Sequence, residues 1–321
     1  MRVFYNLFVF TYQFIIKMAA LFGNDKAKKW VEGRTRVFSD LKDSIKKDDK
    51  VIWVHCPSLG EFEQGRPLIE KLKEHYKDYR VLLTFFSPSG YEIRKEYDFA
   101  DHIMYLPMDT QKNARKFVRL AHPRIAFFIK YDFWFNYINE LSIRKIPLFM
   151  VSTIFRPSQH FFKFWGGWFK KQLRKITYLF VQDEASVELL ENIKIYHADI
   201  IGDTRFDRVI AMSEENKEFP VIEKFKGKLP LIIAGSTWPA DENKLLDLLN
   251  TSDKQFKLII APHQVDNEHI KNLSKLFKEH KSVLFSAANG TVSESSRVLI
   301  IDSIGILSYI YKYADLALDI D

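Results

Sequence analysis

The strongest constraint on this chain is an alternation that occurs twice. Apolar runs at 51–55 (VIWVH), 80–86 (RVLLTFF), 102–106, 124–129 (RIAFFI), 147–152 and 178–182 are each set off by turns. Stretches with helical spacing lie between them, notably 62–75 and 111–120. Runs this short and this apolar read as strands buried on both faces, and strands that alternate with helices form parallel, doubly wound sheets. A polar stretch at 212–228 interrupts the pattern. It then restarts with strands at 229–234, 256–261, 282–286 and 297–302, and with helices from 241 and over 267–280. The expected architecture is α/β: two Rossmann-type domains, 25–211 and 212–321, facing a cleft that serves as the default ligand site. The last apolar stretch, near 314–318, reads as a strand with nothing packed beyond it, so the second domain is expected to be incomplete.

Residues 1–24 stand apart. The run 3–22 is about long enough to cross a bilayer as a helix. At 100° per residue Asn6, Gln13 and Lys17 share one narrow stripe, and the rest of the surface is apolar. Only Arg2 precedes the run, and Ala19-Ala20 lead into bulky Leu21-Phe22, which is unlike a cleaved signal peptide. Lys26, Lys28, Lys29, Arg34 and Arg36 follow, which would place the globular part on the cytoplasmic side. The expectation is a membrane anchor helix, spanning or interfacial; the other reading is a helix buried in the globular domain.

The net charge of +7 suits anionic partners. The single cysteine, Cys56, excludes a disulfide framework and multi-Cys metal sites, and no Cys/His constellation indicates zinc. G-x-G-x-x-G after a strand and the P-loop are both missing, and the cations form no recognisable nucleic-acid module. No metal, cofactor or nucleic acid is expected.

Residues 55–63 (HCPSLGEFE) fall where the first strand hands over to a helix, the usual place for function in such sheets. Two readings are open. Ser58-x-x-Glu61 is a capping box, in which Ser58 caps the helix and Glu61 bonds back. Alternatively, Glu61 is a carboxylate kept ionised by the helix N-terminus and able to take a proton from an attacking hydroxyl. His55 ends the strand and reads first as a hydrogen-bonded residue beside the site, with Glu61 as one plausible partner. Gly235-Ser236 is either a strand–helix turn capped by Ser236 or a phosphate cradle of backbone N–H groups. Trp134 reads as packing. Phe161, Phe162, Phe164, Trp165, Trp168 and Phe169, interleaved with lysines and Arg174, read as a helix with one core face or as a membrane-facing surface.

The strand-His-x-x-Ser-x-Gly-Glu pattern resembles the Kdo transferases, inverting GT-B glycosyltransferases of lipopolysaccharide synthesis. These move 3-deoxy-D-manno-octulosonic acid (Kdo) from CMP-Kdo to a lipid A precursor such as lipid IVA. Further stretches resemble the family in the same order. Pro107-Met108-Asp109 is similar to its Pro-x-Asp turn. Residues 130–136 (KYDFWFN) resemble Glu-Thr-Glu-Leu-Trp-Pro-Asn, with Trp134 and Asn136 kept, Asp132 one methylene shorter and Lys130 reversing the first charge. Residues 152–158 keep Arg156 and Ser158 of an acceptor-side loop, and Gly202-Asp203-Thr204-Arg205-Phe206-Asp207 resembles Gly-Asn-x-Lys-Phe-Asp. In the second domain, residues 234–238, 261–263 and 302–309 resemble the donor-site loops. There Ala-Pro-His lacks the family's Arg, and Ile306 replaces a Glu.

The resemblance implies Glu61 as catalytic base. It implies acceptor contacts at His55, Ser58, Gly60, Asp132, Arg156 and Ser158. Donor contacts fall at Arg205, Gly235, Ser236, Thr237 and His263, with backbone groups at Ile304, Gly305 and Leu307 reading the cytosine. The partners implied are CMP-Kdo, the lipid A precursor and the cytoplasmic face of the inner membrane. The family's later glycine-rich loop and His-Asn-x-x-Glu stretch have no counterpart here, so the alternative expectation is a non-catalytic, membrane-associated fragment without a complete donor site.

Overall fold

The computed structural model describes residues 1–204, 217–288, 292, 293 and 295–319. The chain divides into two compact units, 1–208 and 209–321.

Unit 1 carries β1 (Lys50–Cys56), β2 (Tyr79–Phe85), β3 (His102–Tyr105), β4 (Pro123–Ile129), β5 (Leu148–Thr153), β6 (Tyr178–Val181) and β7 (Ala198–Ile200). Its helices are α1 (Arg2–Leu21), α2 (Asp25–Glu32), α3 (Val37–Ser44), α4 (Leu59–His75), α5 (Pro88–Arg94), α6 (Gln111–Ala121), α7 (Phe135–Ile143), α8 (Gly167–Leu173) and α9 (Glu184–Glu191). The sheet is parallel in the order β3-β2-β1-β4-β5-β6-β7. The chain winds outward from β1 to β3 and then returns to place β4 against the other side of β1. The C-terminal ends of β1 and β4 therefore flank the point where winding reverses, which in such sheets leaves a crevice between the outgoing loops.

The pleat sorts β1 between two cores. Trp53 packs with Phe117, Phe128 and Tyr137 on one face, while Ile52 and Val54 meet Phe62, Leu83 and Ile129 on the other. Each fully buried large side chain of this kind stabilises the fold by about 1.5–3 kcal/mol over its exposed state. Gly65 lets α4 lie close to the sheet, since a Cβ there would meet Ile129 at 2.9 Å and the Cys56 sulfur at 3.0 Å.

Unit 2 is a smaller parallel sheet in the order β10-β11-β9-β8-β12. Its strands are β8 (Leu231–Thr237), β9 (Lys257–Pro262), β10 (Val283–Leu284), β11 (Val298–Ile300) and β12 (Leu316–Asp319). β12, the last apolar stretch, pairs with β8 as an edge strand.

Helix α1 is apolar and long enough, by length and composition, to cross a membrane. It lies along unit 1 rather than being buried in it. The polar stripe faces the protein: Asn6 Oδ1 accepts from Asn136 Nδ2 at 3.0 Å, and the Tyr5 hydroxyl donates to Asp109 at 2.5 Å. Val9 is buried against Trp30 and Met108. The opposite face leaves Val3, Phe4, Leu7, Phe8, Phe10, Phe14 and Ile15 exposed. Arg34 departs from its expected place in a free basic flank. Its guanidinium donates to the carbonyls of Trp30, Phe86 and Leu106 and lies 3.7 Å from the centre of the Trp30 ring. Burial pushes its pKa down to about 9.

The aromatic segment is not one helix. A short 3-10 turn (His160–Phe162) and α8 divide it; Phe161 is buried, whereas Phe164 and Trp165 are exposed.

Candidate active site

Glu61 occupies the first turn of α4, directly after β1. The capping box does not form. Ser58 stands at the N-cap, but its hydroxyl donates to Glu61 Oε2 instead of accepting a backbone N–H. Glu61 Oε1 accepts from Lys130 Nζ at 3.1 Å. Lys130 follows β4 directly, with φ at +72°, and its carbonyl accepts from Thr153 Oγ1 at 2.7 Å. The two ends at the winding reversal thus deliver an acid and a base to one point. Burial alone would push the Glu61 carboxyl up, but the Ser58 hydroxyl and the Lys130 ammonium outweigh it and hold the group below the ordinary glutamate range. The carboxylate side chain remains 16% exposed. An ionised, partly open carboxylate of this kind can accept a proton from a hydroxyl.

His55 does not meet Glu61. It is fully buried at the end of β1, with Nδ1 2.9 Å from Thr84 Oγ1 and 3.1 Å from the Thr84 carbonyl. The Trp134 indole N–H donates to His55 Nε2 at 3.1 Å. Indole nitrogen is only a donor, so Nε2 accepts and the ring hydrogen sits on Nδ1, aimed at Thr84. Asp132 Oδ2 is 3.4 Å from the same Nε2, and its side chain is 30% exposed.

The loop carrying Asp132 and Trp134 is fixed from behind by Asp109, which the sequence marked only as part of a turn. Asp109 is fully buried and accepts from the backbone N–H groups of Asn136 and Tyr137, each at 3.0 Å. It therefore caps α7, whose own N-cap residue, Trp134, supplies no side-chain acceptor. Burial raises the Asp109 carboxyl to about 6 against its hydrogen-bond donors.

A second polar group lies further along the same sheet edge. Gln64 is buried and donates to Asp203 Oδ1 at 3.0 Å, and Gln182 donates to Ser152 Oγ at 3.0 Å. Ser152, also buried, has φ at +58°.

The family described as 3-Deoxy-D-manno-octulosonic-acid transferase (kdotransferase) matches residues 31–208, more than half of the chain. The chain belongs to the Kdo transferase family. A 3-deoxy-D-manno-octulosonic acid transferase of Aquifex aeolicus is 25% identical over 282 residues, covering 86% of this chain and 71% of that protein. A bifunctional glycosyltransferase/methyltransferase of Fusobacterium nucleatum is 25% identical over 310 residues, 92% of this chain and 47% of its own length. The transferase of Rickettsia felis is 26% identical, and the chain spans 58% of it. Among solved structures, UDP-GlcNAc 2-epimerase from Neisseria meningitidis superposes with a TM-score of 0.55 at 15% identity, covering 84% of this chain and 77% of that one. At that identity the likeness describes the fold, two parallel α/β units of the GT-B-like kind.

Of the other positions that the resemblance marks in unit 1, Gly60 is exposed beside Ser58, while Arg156 and Ser158 lie exposed on the loop after β5. In unit 2, Gly235, Ser236 and Thr237 are the last three residues of β8 rather than a free loop. Ser236 has φ at +56° and is not the helix cap; Trp238 takes that position, and its N–H donates to Asp241 at 3.1 Å. A Cβ at Gly235 would lie 2.0 Å from the Tyr311 hydroxyl. Thr237 is turned inward, donating to buried Glu242 at 3.2 Å, and Glu242 also meets His269 Nε2 at 2.9 Å. Sequence reading missed this trio, whose signal is the Glu five residues past the Thr. His263 stacks on Trp238 at 4.5 Å. Ile304 is exposed, Gly305 has φ at +93°, and Leu307 opens a short helix packed near Gly235. Arg205 lies outside the described residues.

Proposed function

We propose that this chain is a Kdo transferase that carries Kdo from CMP-Kdo to a lipid A precursor with inversion, with Glu61 as general base. The observation that carries this reading is the Glu61 carboxylate at the mouth of the β1/β4 switch point, ionised by Ser58 and Lys130. The acceptor's sugar hydroxyl gives its proton to Glu61 and attacks the anomeric carbon as CMP departs. Asp132, Arg156 and Ser158 offer one acid, one cation and one hydroxyl to a phosphorylated sugar. Residues 212–321 form the donor half, in which the turned backbone at 235–237 and 304–305 faces the nucleotide and its N–H groups stabilise the leaving phosphate. The apolar face of α1 and exposed Phe164 and Trp165 rest on the cytoplasmic surface of the inner membrane, where aromatic side chains favour the headgroup zone.

The test is Kdo transfer by Glu61→Gln with CMP binding measured alongside. Lost turnover with binding intact supports the base; near-normal turnover ends it.

Lys130 favours a second reading, acceptor binding without turnover. An ammonium 3.1 Å from the carboxylate stabilises the anion and weakens it as a proton acceptor. Absence of CMP binding by the 321-residue chain would select this reading.

A further inference from the structure

A groove of about 740 Å³ runs between α1 and α6, away from the Glu61 site. Thr110, the N-cap of α6, is among its lining residues. Its α6 wall is made of Lys112, Arg115, Lys116 and Arg119, spaced to project from one side of the helix. Its other wall is α1, through Asn6, Phe10 and Gln13. No lining residue is acidic. All four cations are exposed, and among the described residues none of them forms an ion pair; Lys116 lies over the Phe38 ring instead. Four like charges along one groove repel one another unless an anion sits among them.

The α1 wall tells what kind of anion. Phe10 lines the groove and is exposed, and it continues into Val3, Leu7 and Phe14, exposed along the same side of the helix. Exposed cations beside an exposed apolar ridge match a molecule with a phosphate at one end and acyl chains at the other.

We infer that the α1–α6 groove binds the headgroup of an anionic membrane phospholipid, separately from the acceptor site. The lipid phosphate sits among Lys112, Arg115, Lys116 and Arg119, and its chains enter the bilayer beside Phe10. This rests on the reading of α1 as membrane-facing, and it adds a reason for the polar stripe: Asn6 docks α1 to the domain, while Gln13 shares the headgroup groove.

The experiment is co-sedimentation of the full chain with phosphatidylcholine vesicles and with the same vesicles containing phosphatidylglycerol. Binding to the neutral vesicles tests α1 alone, and its absence would overturn the membrane reading itself. The groove governs the increment that phosphatidylglycerol adds. The double variant Lys112→Gln/Arg115→Gln is expected to lose about twenty-five-fold of that increment, roughly five-fold per cation, with neutral binding and thermal melting unchanged. Lys244→Gln/Lys275→Gln removes the same charge from exposed positions in unit 2 and is expected to lose little. Equal losses in the two double variants would mean that net charge, not the groove, does the binding, and would overturn the site. So would competition by millimolar glycerol phosphate as effective as that of the vesicles, which would make the ligand a soluble phosphate ester.

Discussion

The sheet edges of the two units are built to opposite plans. In unit 1 the edge presents side chains: Glu61, Lys130, His55 and Asp132 converge from β1 and β4, each with a partner among the others or nearby. In unit 2 Thr237 and His269 turn inward onto Glu242, and apart from the exposed His263–Trp238 stack what the edge presents is backbone: left-handed Ser236, Gly235 pressed on Tyr311, and Gly305. A proton transfer needs a group with a matched affinity for protons, whereas a phosphate needs only oriented N–H groups. The difference teaches that the two edges fail in different ways, the first when a functional group is exchanged, the second when a shape is.

The largest effect expected from that contrast is at Glu61. Glu61→Gln keeps the shape and should lower Kdo transfer by about 10²–10⁴-fold, read in a turnover assay with thermal melting unchanged. Next is Asp109→Ala, which strips the acceptor from two backbone donors and the Tyr5 hydroxyl. It should cost about 2–4 kcal/mol in urea unfolding of unit 1. In unit 2 the equivalent blow is steric: Gly235→Ala should cost about 1–3 kcal/mol from overpacking and weaken CMP binding. Tyr311→Phe in the same chain removes the hydroxyl that the new Cβ meets and should recover part of both. Lys130→Met should then move the acidic limb of the pH–rate profile to higher pH, because the carboxyl loses the ammonium that holds it low. A depressed Glu61 contributes stability above its unfolded value of about 4.3, and this is lost as pH falls through the lower folded value; Lys130→Met should flatten that acid limb. The smallest effect belongs to Ile304→Ser, which exchanges a side chain 82% exposed and should stay within about 0.5 kcal/mol. A large loss of CMP binding there would break the contrast, since it would give unit 2 a side-chain role.

The strands that are buried on both faces were legible, because a run such as Ile52, Trp53 and Val54 has few other ways to be buried. β7 was not: Ala198-Asp199-Ile200 is a short edge strand with mixed exposure and carries no apolar run. The placement of Glu61 after β1 was readable from the motif, but its partner was not. Lys130 lies 69 residues away, and only the reversal of strand order brings β4 beside β1. That His55 would be a hydrogen-bonded residue beside the site was readable, but its partners were not, since Thr84 and Trp134 come from two other segments. The stripe on α1 was visible as spacing, but which side of the helix it turned to depended on Asp109 and Asn136.

Those last two residues also set how the molecule bears load. The carboxylate that steadies the start of α7 is the one that receives the Tyr5 hydroxyl, and the amide next to it grips Asn6. The first helix and the loop are therefore riveted through a single joint. Pulling the first helix away from the body would loosen the mounting of Asp132 in the same event.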